Sequence, residues 1–417
     1  MEEFNAKTAR LAGIEGFRAI AAMSVLVYHV YYYAAPDGRA VDLGVFTKIV
    51  ENFRAGVTLF FVLSGFLLYR VFVGAALRGG SMPSVRRYLR NRALRILPAY
   101  WVILIAVALV FQFELLTSPL RLLANLLLLQ NYVPPYLAGG EQGLGIVPAW
   151  SLVVEVSFYV LVPILGYIAV RLAARRGLGV VAALVPVGAM LAAGIAAKGI
   201  SRAMEPSDAL AIWNHALPTH ADWFAAGMAL AVARVLHEDG LLHLPRTWVG
   251  AGTLGAALFA VLSAKLYYDG TLSGLEQQTA NAILFAVALG FVVLSSPHAR
   301  AVRWLSLRPV VFLGLASYSL FLVHDPIVRG FRDWGLTFGG TIGFGMNLVV
   351  IAGVSVVLAS VSYLYVERPA LARKRGWQVG DRAGLGSNAT PEGAEPAGSK
   401  VTLADALGQA LKDATRP

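Results

Sequence analysis

Four side chains that could transfer protons or bind anions stand within stretches of the sequence that are otherwise apolar. They are Arg18, His29, Glu155 and His324. An ionisable group is costly in hydrocarbon, so such residues usually face a cavity or one another. Histidine suits proton transfer near neutral pH, and a nearby carboxylate can orient it or tune its basicity. These four residues are therefore predicted to form or flank a catalytic or transport site.

Arg18 and His29 belong to one apolar stretch, GIEGFRAIAAMSVLVYHV, at positions 13–30. At about 100° per residue, their eleven-residue spacing places both on one side of a helix, roughly 16 Å apart along its axis. The spacing therefore predicts a helix with a polar stripe. The alternative is that Arg18 extends to the membrane surface and His29 is a hydrogen-bonded core histidine.

The composition is that of a membrane protein. Of 417 residues, 57% are hydrophobic and only 14% are charged, whereas about a quarter are charged in soluble domains; mean hydropathy is +0.65. The net charge of +11 comes from basic residues in alternate loops, the pattern of membrane orientation rather than of nucleic-acid binding. The absence of cysteine excludes disulfides, thiolate catalysis and cysteine metal sites, and no metal site is predicted.

The apolar stretches predict an all-α fold: a polytopic integral membrane helical bundle of about ten transmembrane helices. The predicted spans cover about 14–35, 53–76, 94–113, 148–171, 178–198, 220–237, 247–267, 278–296, 309–330 and 341–366. Arginines in every second loop place the N- and C-termini in the cytoplasm.

Two further segments complete the predicted organisation. The apolar run at 120–129, about 15 Å long as a helix, is too short to cross a bilayer and is interpreted as interfacial or re-entrant. Residues 1–375 are predicted to form one integral membrane domain. Residues 376–417, rich in Gly, Ala, Ser and Pro, are predicted to be a flexible cytoplasmic tail, with a short amphipathic helix possible at 402–414.

The topology allows depths to be compared between helices. His29, Glu155 and His324 each lie about six residues, or roughly 9 Å, from the outer end of their spans, which predicts a shared site in the outer half of the membrane. Ser151, Glu155 and Tyr159 are four residues apart and so share a helix face. That face either lines the site or forms a hydrogen-bonding seam between helices.

The inner side carries a different polar set. Five arginines stand just before the third span: Arg86, Arg87, Arg90, Arg92 and Arg95. Guanidinium groups match phosphate geometry, so these residues predict a phosphate-binding site; anionic lipid headgroups are the alternative ligand. Glu367, at the end of the last span, is expected to pair with one of them. In the second span, Gly65 is expected to allow close helix approach, and Ser64 is not expected to be catalytic.

Six segments in order resemble the membrane-bound acyltransferase family 3. They are Arg18 with His29, FFVLSGFLL at 60–68, RNRALRILPAYW at 90–101, WSLVVEVSFY at 150–159, ASYSLFLVHDP at 316–326 and YVERP at 365–369. Members of this family take an acyl group, usually acetyl, from cytoplasmic acyl-CoA and pass it to a hydroxyl on a glycan, lipid-linked sugar or secondary metabolite.

The resemblance also implies roles for particular residues. It assigns the essential pair to Arg18 and His29, implicates Glu155, and adds Tyr318 to the substrate-binding residues. Phe321 departs from the family pattern, which often has a second tyrosine there. Many relatives append a soluble esterase-like domain, and the roughly 40 residues of the tail are too few for one. Either this chain completes the transfer itself or a partner does.

The main hypothesis is a membrane O-acyltransferase of the bacterial plasma membrane, with acyl-CoA as co-substrate and no other cofactor. Arg18, about 16 Å from His29, binds the donor, and His29 is the general base on the acceptor hydroxyl or accepts the acyl group covalently. Glu155 orients or tunes His29, or binds the acceptor, and His324 is a second acid or base or contacts the acceptor. The expected acceptor is a cell-surface glycan or glycolipid, or else a glycosylated secondary metabolite. The hypotheses from other classes are a proton-coupled transporter or flippase and a non-catalytic lipid-binding scaffold.

Overall fold

The computed structural model describes residues 13–133, 145–176, 179–243, 248–295 and 299–373. Within them the chain is helical and no β-strand occurs. The α-helices, numbered in chain order, are α1 Ile14–Tyr33, α2 Thr47–Asn52, α3 Gly56–Leu77, α4 Val85–Val110, α5 Glu114–Thr117, α6 Pro119–Leu126, α7 Trp150–Arg176, α8 Gly179–Ala203, α9 Asp208–Asn214, α10 Ala221–Glu238, α11 Trp248–Tyr268, α12 Gly274–Val293, α13 Arg300–Leu305, α14 Arg308–Leu315, α15 Ser317–Asp333, α16 Gly340–Ser362 and α17 Arg368–Ala372.

Each predicted span coincides with one helix, except the ninth, which corresponds to α14 and α15 joined at a 71° bend. By length and composition, six helical segments of the described chain could cross a membrane, and the bent pair could make a seventh. Helices α1, α10 and α11 do not meet that test. The count of about ten and the cytoplasmic termini stay predictions, and the predicted tail at 376–417 lies outside the described residues.

Helix α3 is the centre of the bundle. It packs against α1, α7, α10 and α12, and α1 in turn packs against α14 and α15. Helix α15 completes this side through contacts with α4 and α16. The polar residues of α1 are therefore enclosed between α3 and the bent pair, which is where the candidate site lies.

Two differences from the predicted elements affect the site. Helix α4 begins at Val85, nine residues before the predicted third span, because Ser84 caps it by accepting a hydrogen bond from the backbone N–H of Arg87 at 3.4 Å. The five arginines are therefore on a helix rather than in a loop. The short apolar run forms only the 8-residue helix α6, which is too short to cross a bilayer, as predicted.

The crossing of α3 and α10 depends on two glycines. A Cβ atom at Gly227 would lie 1.9 Å from the carbonyl oxygen of Val62, and one at Gly65 would lie 2.2 Å from that of Phe224. Both obstacles are backbone atoms, which cannot move aside as a side chain can. The prediction of close helix approach at Gly65 is confirmed.

We therefore expect Gly227→Ala to destabilise the protein by about 1–3 kcal/mol, the usual cost of overpacking a core. The matched control is Gly188→Ala, because Gly188 is exposed on α8 and a Cβ there would meet no atom within 4 Å. Thermal unfolding of both variants in detergent measures the difference. Equal melting temperatures would show that the two backbones can separate at little cost.

Candidate active site

Helices α1 and α15 meet through two histidines. His29 Nδ1 lies 2.8 Å from His324 Nε2, and the two rings lie end to end with centroids 4.9 Å apart and planes inclined by 20°. His324 is fully buried, whereas the His29 side chain keeps 14% of its surface exposed. The structure thus brings together two of the predicted catalytic residues, from positions 295 residues apart.

The hydrogen-bond chain determines the tautomers of this histidine pair. His324 Nδ1 lies 3.1 Å from the carbonyl oxygen of Leu320, and because a carbonyl only accepts, Nδ1 carries the proton. Neutral His324 then has an unprotonated Nε2, which accepts a hydrogen bond from His29 Nδ1–H. Neutral His29 consequently keeps an unprotonated Nε2, and no described residue forms a hydrogen bond with it. That nitrogen is in the form required of a general base or nucleophile.

Asp325 adds a carboxylate to the pair. Its Oδ1 lies 3.6 Å from His29 Nδ1, and Arg329, one turn along α15, donates to both carboxylate oxygens at 3.1 Å. The Arg329 guanidinium also lies 4.3 Å from the ring centroid of Tyr33. A positioned carboxylate beside an imidazole stabilises the imidazolium that forms on proton uptake. The sequence analysis did not select Asp325, although its neighbour in the HDP motif was predicted to be catalytic.

A narrow cavity of about 90 Å³, which we call the arginine cavity, lies between α1, α3, α4, α7 and α15. Its polar lining consists of Arg18, Ser64, Arg92, Arg95, Ser151, Glu155, Tyr159 and Tyr318. Seven of these were predicted site residues. Its apolar lining includes Phe60 and Phe321, and the Phe321 ring lies 5.7 Å from that of His324. The cavity therefore extends to the neighbourhood of the histidine pair.

Arg18 lines the arginine cavity and also contacts α15, the helix that carries His324. Its Nε donates to the Ser317 hydroxyl at 3.3 Å, and it lies 3.8 Å from Glu15. Ser317 and His324 are two turns apart on α15, so Arg18 and His29 both face that helix. The prediction that these two residues share one side of α1 is confirmed.

Glu155 lies in the arginine cavity rather than beside the histidines. It accepts a hydrogen bond from Ser64, and no hydrogen bond or ion pair in the described chain joins it to His29 or His324. Ser151 and Tyr159 line the same cavity, which confirms that the three share a face of α7. Glu155 was predicted at the same depth as the two histidines. It does not contact them, because its side chain lies on the face of α7 that is directed toward α3.

The five arginines divide into two groups. Arg86, Arg87 and Arg90 are exposed, whereas Arg92 and Arg95, one helical turn apart, line the arginine cavity. Arg95 forms the expected ion pair with Glu367, which also accepts a hydrogen bond from Ser319 at 3.1 Å. Glu367 ends a π-helical turn, Tyr363–Glu367.

Two guanidinium nitrogens of the cavity are buried without a hydrogen-bond partner among the described residues: Arg92 Nε and Arg95 Nη2. The Arg92 guanidinium lies 5.8 Å from the ring of Tyr159, and that of Arg95 lies 5.8 Å from the ring of Tyr318. A buried donor without a partner is costly. The cavity is therefore prepared for an anion or a carbonyl oxygen.

Comparison with known proteins identifies the family. The sequence profile described as "Acyltransferase domain", that of acyltransferase family 3, matches residues 11–366, which include the histidine pair and every residue that lines the arginine cavity. The chain belongs to acyltransferase family 3. No solved structure matches it.

Curated relatives of this chain differ in length. O-acetyltransferase OatA of Staphylococcus aureus is 24% identical over 388 residues, which cover 88% of this chain but 58% of the relative. Acyltransferase MdmB of Streptomyces mycarofaciens is 28% identical, and the match covers 92% of that relative's length. Exopolysaccharide production protein ExoZ of Rhizobium meliloti is 30% identical over 80% of this chain and 94% of its own length. The chain thus spans less than two thirds of OatA but nearly all of the other two.

The candidate site combines an imidazole that can act as a base with a nearby cavity lined by arginines. In the described part of the chain, no group of three or more His, Asp and Glu side chains is arranged to hold a metal ion. The hydrogen bond between the two histidines, the unprotonated His29 Nε2 and the nearby Asp325 carboxylate favour interpretation of the histidine pair as a proton-transfer group. The individual roles predicted for Arg18, His29, Glu155 and His324 stay predictions.

Proposed function

We propose that this acyltransferase moves an acyl group, acetyl in the first instance, from acyl-CoA to a hydroxyl of a cell-surface glycan or glycolipid. The observation that carries the proposal is the His29–His324 pair, with an unprotonated His29 Nε2, at the end of a cavity that contains three arginines. Family membership and the names of OatA and ExoZ, an O-acetyltransferase and an exopolysaccharide production protein, support this choice of reaction and acceptor.

The arginine cavity is our proposed binding site for the donor. A volume of about 90 Å³ can hold the acyl-thioester end of the donor rather than its whole pantetheine arm. The unpartnered nitrogens of Arg92 and Arg95 are available to a phosphate or to the carbonyl groups of that arm. The exposed Arg86, Arg87 and Arg90 extend the basic surface at the same end of α4. In the predicted topology that end is cytoplasmic, where acyl-CoA is found.

The reaction follows from the tautomers. His29 Nε2 takes the proton of the acceptor hydroxyl while the hydroxyl oxygen attacks the thioester carbonyl carbon. The C–S bond then breaks, the CoA thiolate leaves, and the proton on His29 Nε2 neutralises that thiolate. During transfer, the imidazolium is stabilised by the acceptor lone pair of His324 Nε2 and by Asp325, 3.6 Å away. In the covalent variant, Nε2 attacks the thioester carbonyl carbon and the CoA thiolate leaves. The acceptor hydroxyl then attacks the acyl carbon, its proton passes to the thiolate, and the bond from that carbon to Nε2 breaks to restore neutral His29.

The experiment uses membranes containing the full chain and acyl-CoA labelled in its acyl group. We expect wild type to release CoA and to pass label into a CoA-free product, and His29→Ala at matched expression to do neither. The labelled product identifies the acceptor, whether glycan, glycolipid or glycosylated small molecule. If wild type consumes no acyl-CoA while the acceptor pool is present, the donor assignment is wrong.

Donor affinity gives a separate prediction. We expect Arg92→Gln to raise KM for acyl-CoA by about 10- to 100-fold, since a hydrogen bond to a charged group contributes about 1.5–3 kcal/mol. The control is Arg300→Gln, which removes an exposed arginine of α13 away from the cavity. Initial rates against acyl-CoA concentration measure both. An unchanged KM for Arg92→Gln would place the donor outside this cavity.

A further inference from the structure

A second and larger cavity, which we call the tyrosine cleft, lies beside the outer end of α1. Its volume is about 750 Å³, within the usual range for a small-molecule site. The C-terminal half of α1, the segment 48–54, the end of α11 and the start of α12 enclose it. The lining includes Tyr28, Tyr32, Lys48, Arg54, Tyr267 and Gln277. None of these residues belongs to the arginine cavity.

Aromatic rings dominate the walls of this cleft. Tyr28 and Tyr32 lie one turn apart on α1 with centroids 5.8 Å apart, and Tyr267 and Tyr268 lie 5.2 Å apart on the opposite side. Tyr32 and Tyr268 are 41% and 48% exposed, and the Lys48 ammonium lies 4.8 Å from the Tyr268 ring centroid. The negative face of an aromatic ring attracts C–H groups that carry partial positive charge. A pyranose ring presents such C–H groups on its faces.

Unsatisfied polar atoms add a second, independent feature. Gln277 is only 6% exposed, and its Oε1 has no hydrogen-bond partner within the described residues. Arg54 Nε is likewise buried without a partner, although its Nη2 donates to the Tyr267 hydroxyl at 2.8 Å. The cleft therefore offers one free acceptor and one free donor. A sugar hydroxyl both donates and accepts, so it satisfies this combination, whereas a purely apolar ligand leaves both atoms unpaired.

The tyrosine cleft lies next to the histidine pair. Tyr28, which lines the cleft, has its ring centroid 5.5 Å from that of His29. On α15, Phe321 of the arginine cavity lies 5.7 Å from His324. Each of the two cavities thus has a lining residue beside one ring of the pair: Tyr28 of the wide tyrosine cleft beside His29, and Phe321 of the narrow basic cavity beside His324.

We propose that the tyrosine cleft is the acceptor subsite, and that it binds a glycosyl residue whose ring stacks on the tyrosines while its hydroxyls bond to Arg54 and Gln277. This inference rests on the acyl transfer proposed above and adds the location and the ligand chemistry of its acceptor half. Binding there places a glycosyl hydroxyl beside His29, opposite the donor. The glycosyl residue belongs either to a surface glycan or to a glycosylated small molecule.

The first test compares variants of the cleft in membranes of the host cell, with its extracted surface glycoconjugates as the titrated acceptor. We expect Gln277→Leu and Tyr267→Ala to raise KM for these glycoconjugates at least tenfold while the Kd for acyl-CoA stays unchanged. Tyr267→Phe keeps the ring and should retain most of the stacking. Tyr167→Ala removes a half-exposed tyrosine of α7, outside both cavities, and should behave as wild type.

The second test uses methyl hexopyranosides as competing probes, with cyclohexanol as the ring compound that lacks the sugar hydroxyls. The glycosides should inhibit transfer by wild type and lose at least tenfold in potency against Gln277→Leu. Equal inhibition by cyclohexanol, or a wild-type KM for Gln277→Leu, overturns the subsite. These results are distinct from failure of the proposed function, in which wild type itself transfers nothing from acyl-CoA. Product analysis separates a glycan from a glycosylated small molecule.

Discussion

Replacing His29 by glutamine should lower kcat for acyl transfer by about 10²- to 10⁴-fold, the range that positioned acid–base groups contribute. Glutamine is polar and of similar size, but its amide has no nitrogen that can take up a proton at neutral pH. The acceptor hydroxyl then has no base, and the transfer step loses its proton acceptor. Labelled acyl-CoA, saturating acceptor and matched protein amounts in membranes measure the loss directly.

The design of this test separates chemistry from folding and binding. His237→Gln is the matched control, because His237 is a half-buried histidine on α10 whose Nδ1 contacts the carbonyl oxygen of Leu242 at 3.0 Å, away from the pair. The Kd of His29→Gln for acyl-CoA should stay close to that of wild type, since His29 does not line the arginine cavity. If His29→Gln keeps even half of the wild-type kcat, the base is another residue. Label retained on wild-type protein after rapid quenching, but not on His29→Gln, would select the covalent variant.

The sequence predicted those features that follow from helical periodicity. A spacing of eleven positions from Arg18 to His29, and of four positions along Ser151, Glu155 and Tyr159, determines shared faces within single helices. The structure reproduces both sets. The apolar stretches located every long helix of the described chain, because an apolar stretch can be recognised from the local sequence alone. The pairing of Glu367 with an arginine was also predictable, since an acidic residue at a membrane end beside a basic cluster has few other partners.

What the sequence left undetermined was the rotation of one helix relative to another. Glu155 and the histidines were predicted at one depth, but depth does not determine which neighbour a side chain faces. Ser64, which was not selected for a role, is the residue that binds Glu155. Similarly, the five arginines were counted together because they are close in sequence, whereas a helix that begins at Val85 distributes them around its axis. Only two of them reach the cavity.

The buried ion pair between Lys198 and Asp222 could not be predicted in this way, and it yields the second large effect. Lys198 of α8 is 5% exposed and Asp222 of α10 is 2% exposed. The other carboxylate oxygen of Asp222 accepts a hydrogen bond from Thr279 of α12 at 2.5 Å. We expect Asp222→Leu to lower the free energy of unfolding by about 3–5 kcal/mol, because it leaves the Lys198 ammonium buried without a counter-charge.

Adding Lys198→Met to Asp222→Leu tests whether the loss arises from the charge or from packing. A buried ion pair can often be replaced by apolar residues of similar volume at little cost, because desolvation of the two charges offsets most of their attraction. The double variant should therefore recover most of the stability that the single variant loses. Thermal unfolding in detergent compares wild type, the single variant and the double variant.

Arg202→Met serves as the exposed control. The Arg202 side chain, which pairs with Glu276, is 54% exposed, so its removal should cost at most about 1 kcal/mol. Should the double variant be no more stable than Asp222→Leu alone, packing around the pair rather than its charge would join α8, α10 and α12.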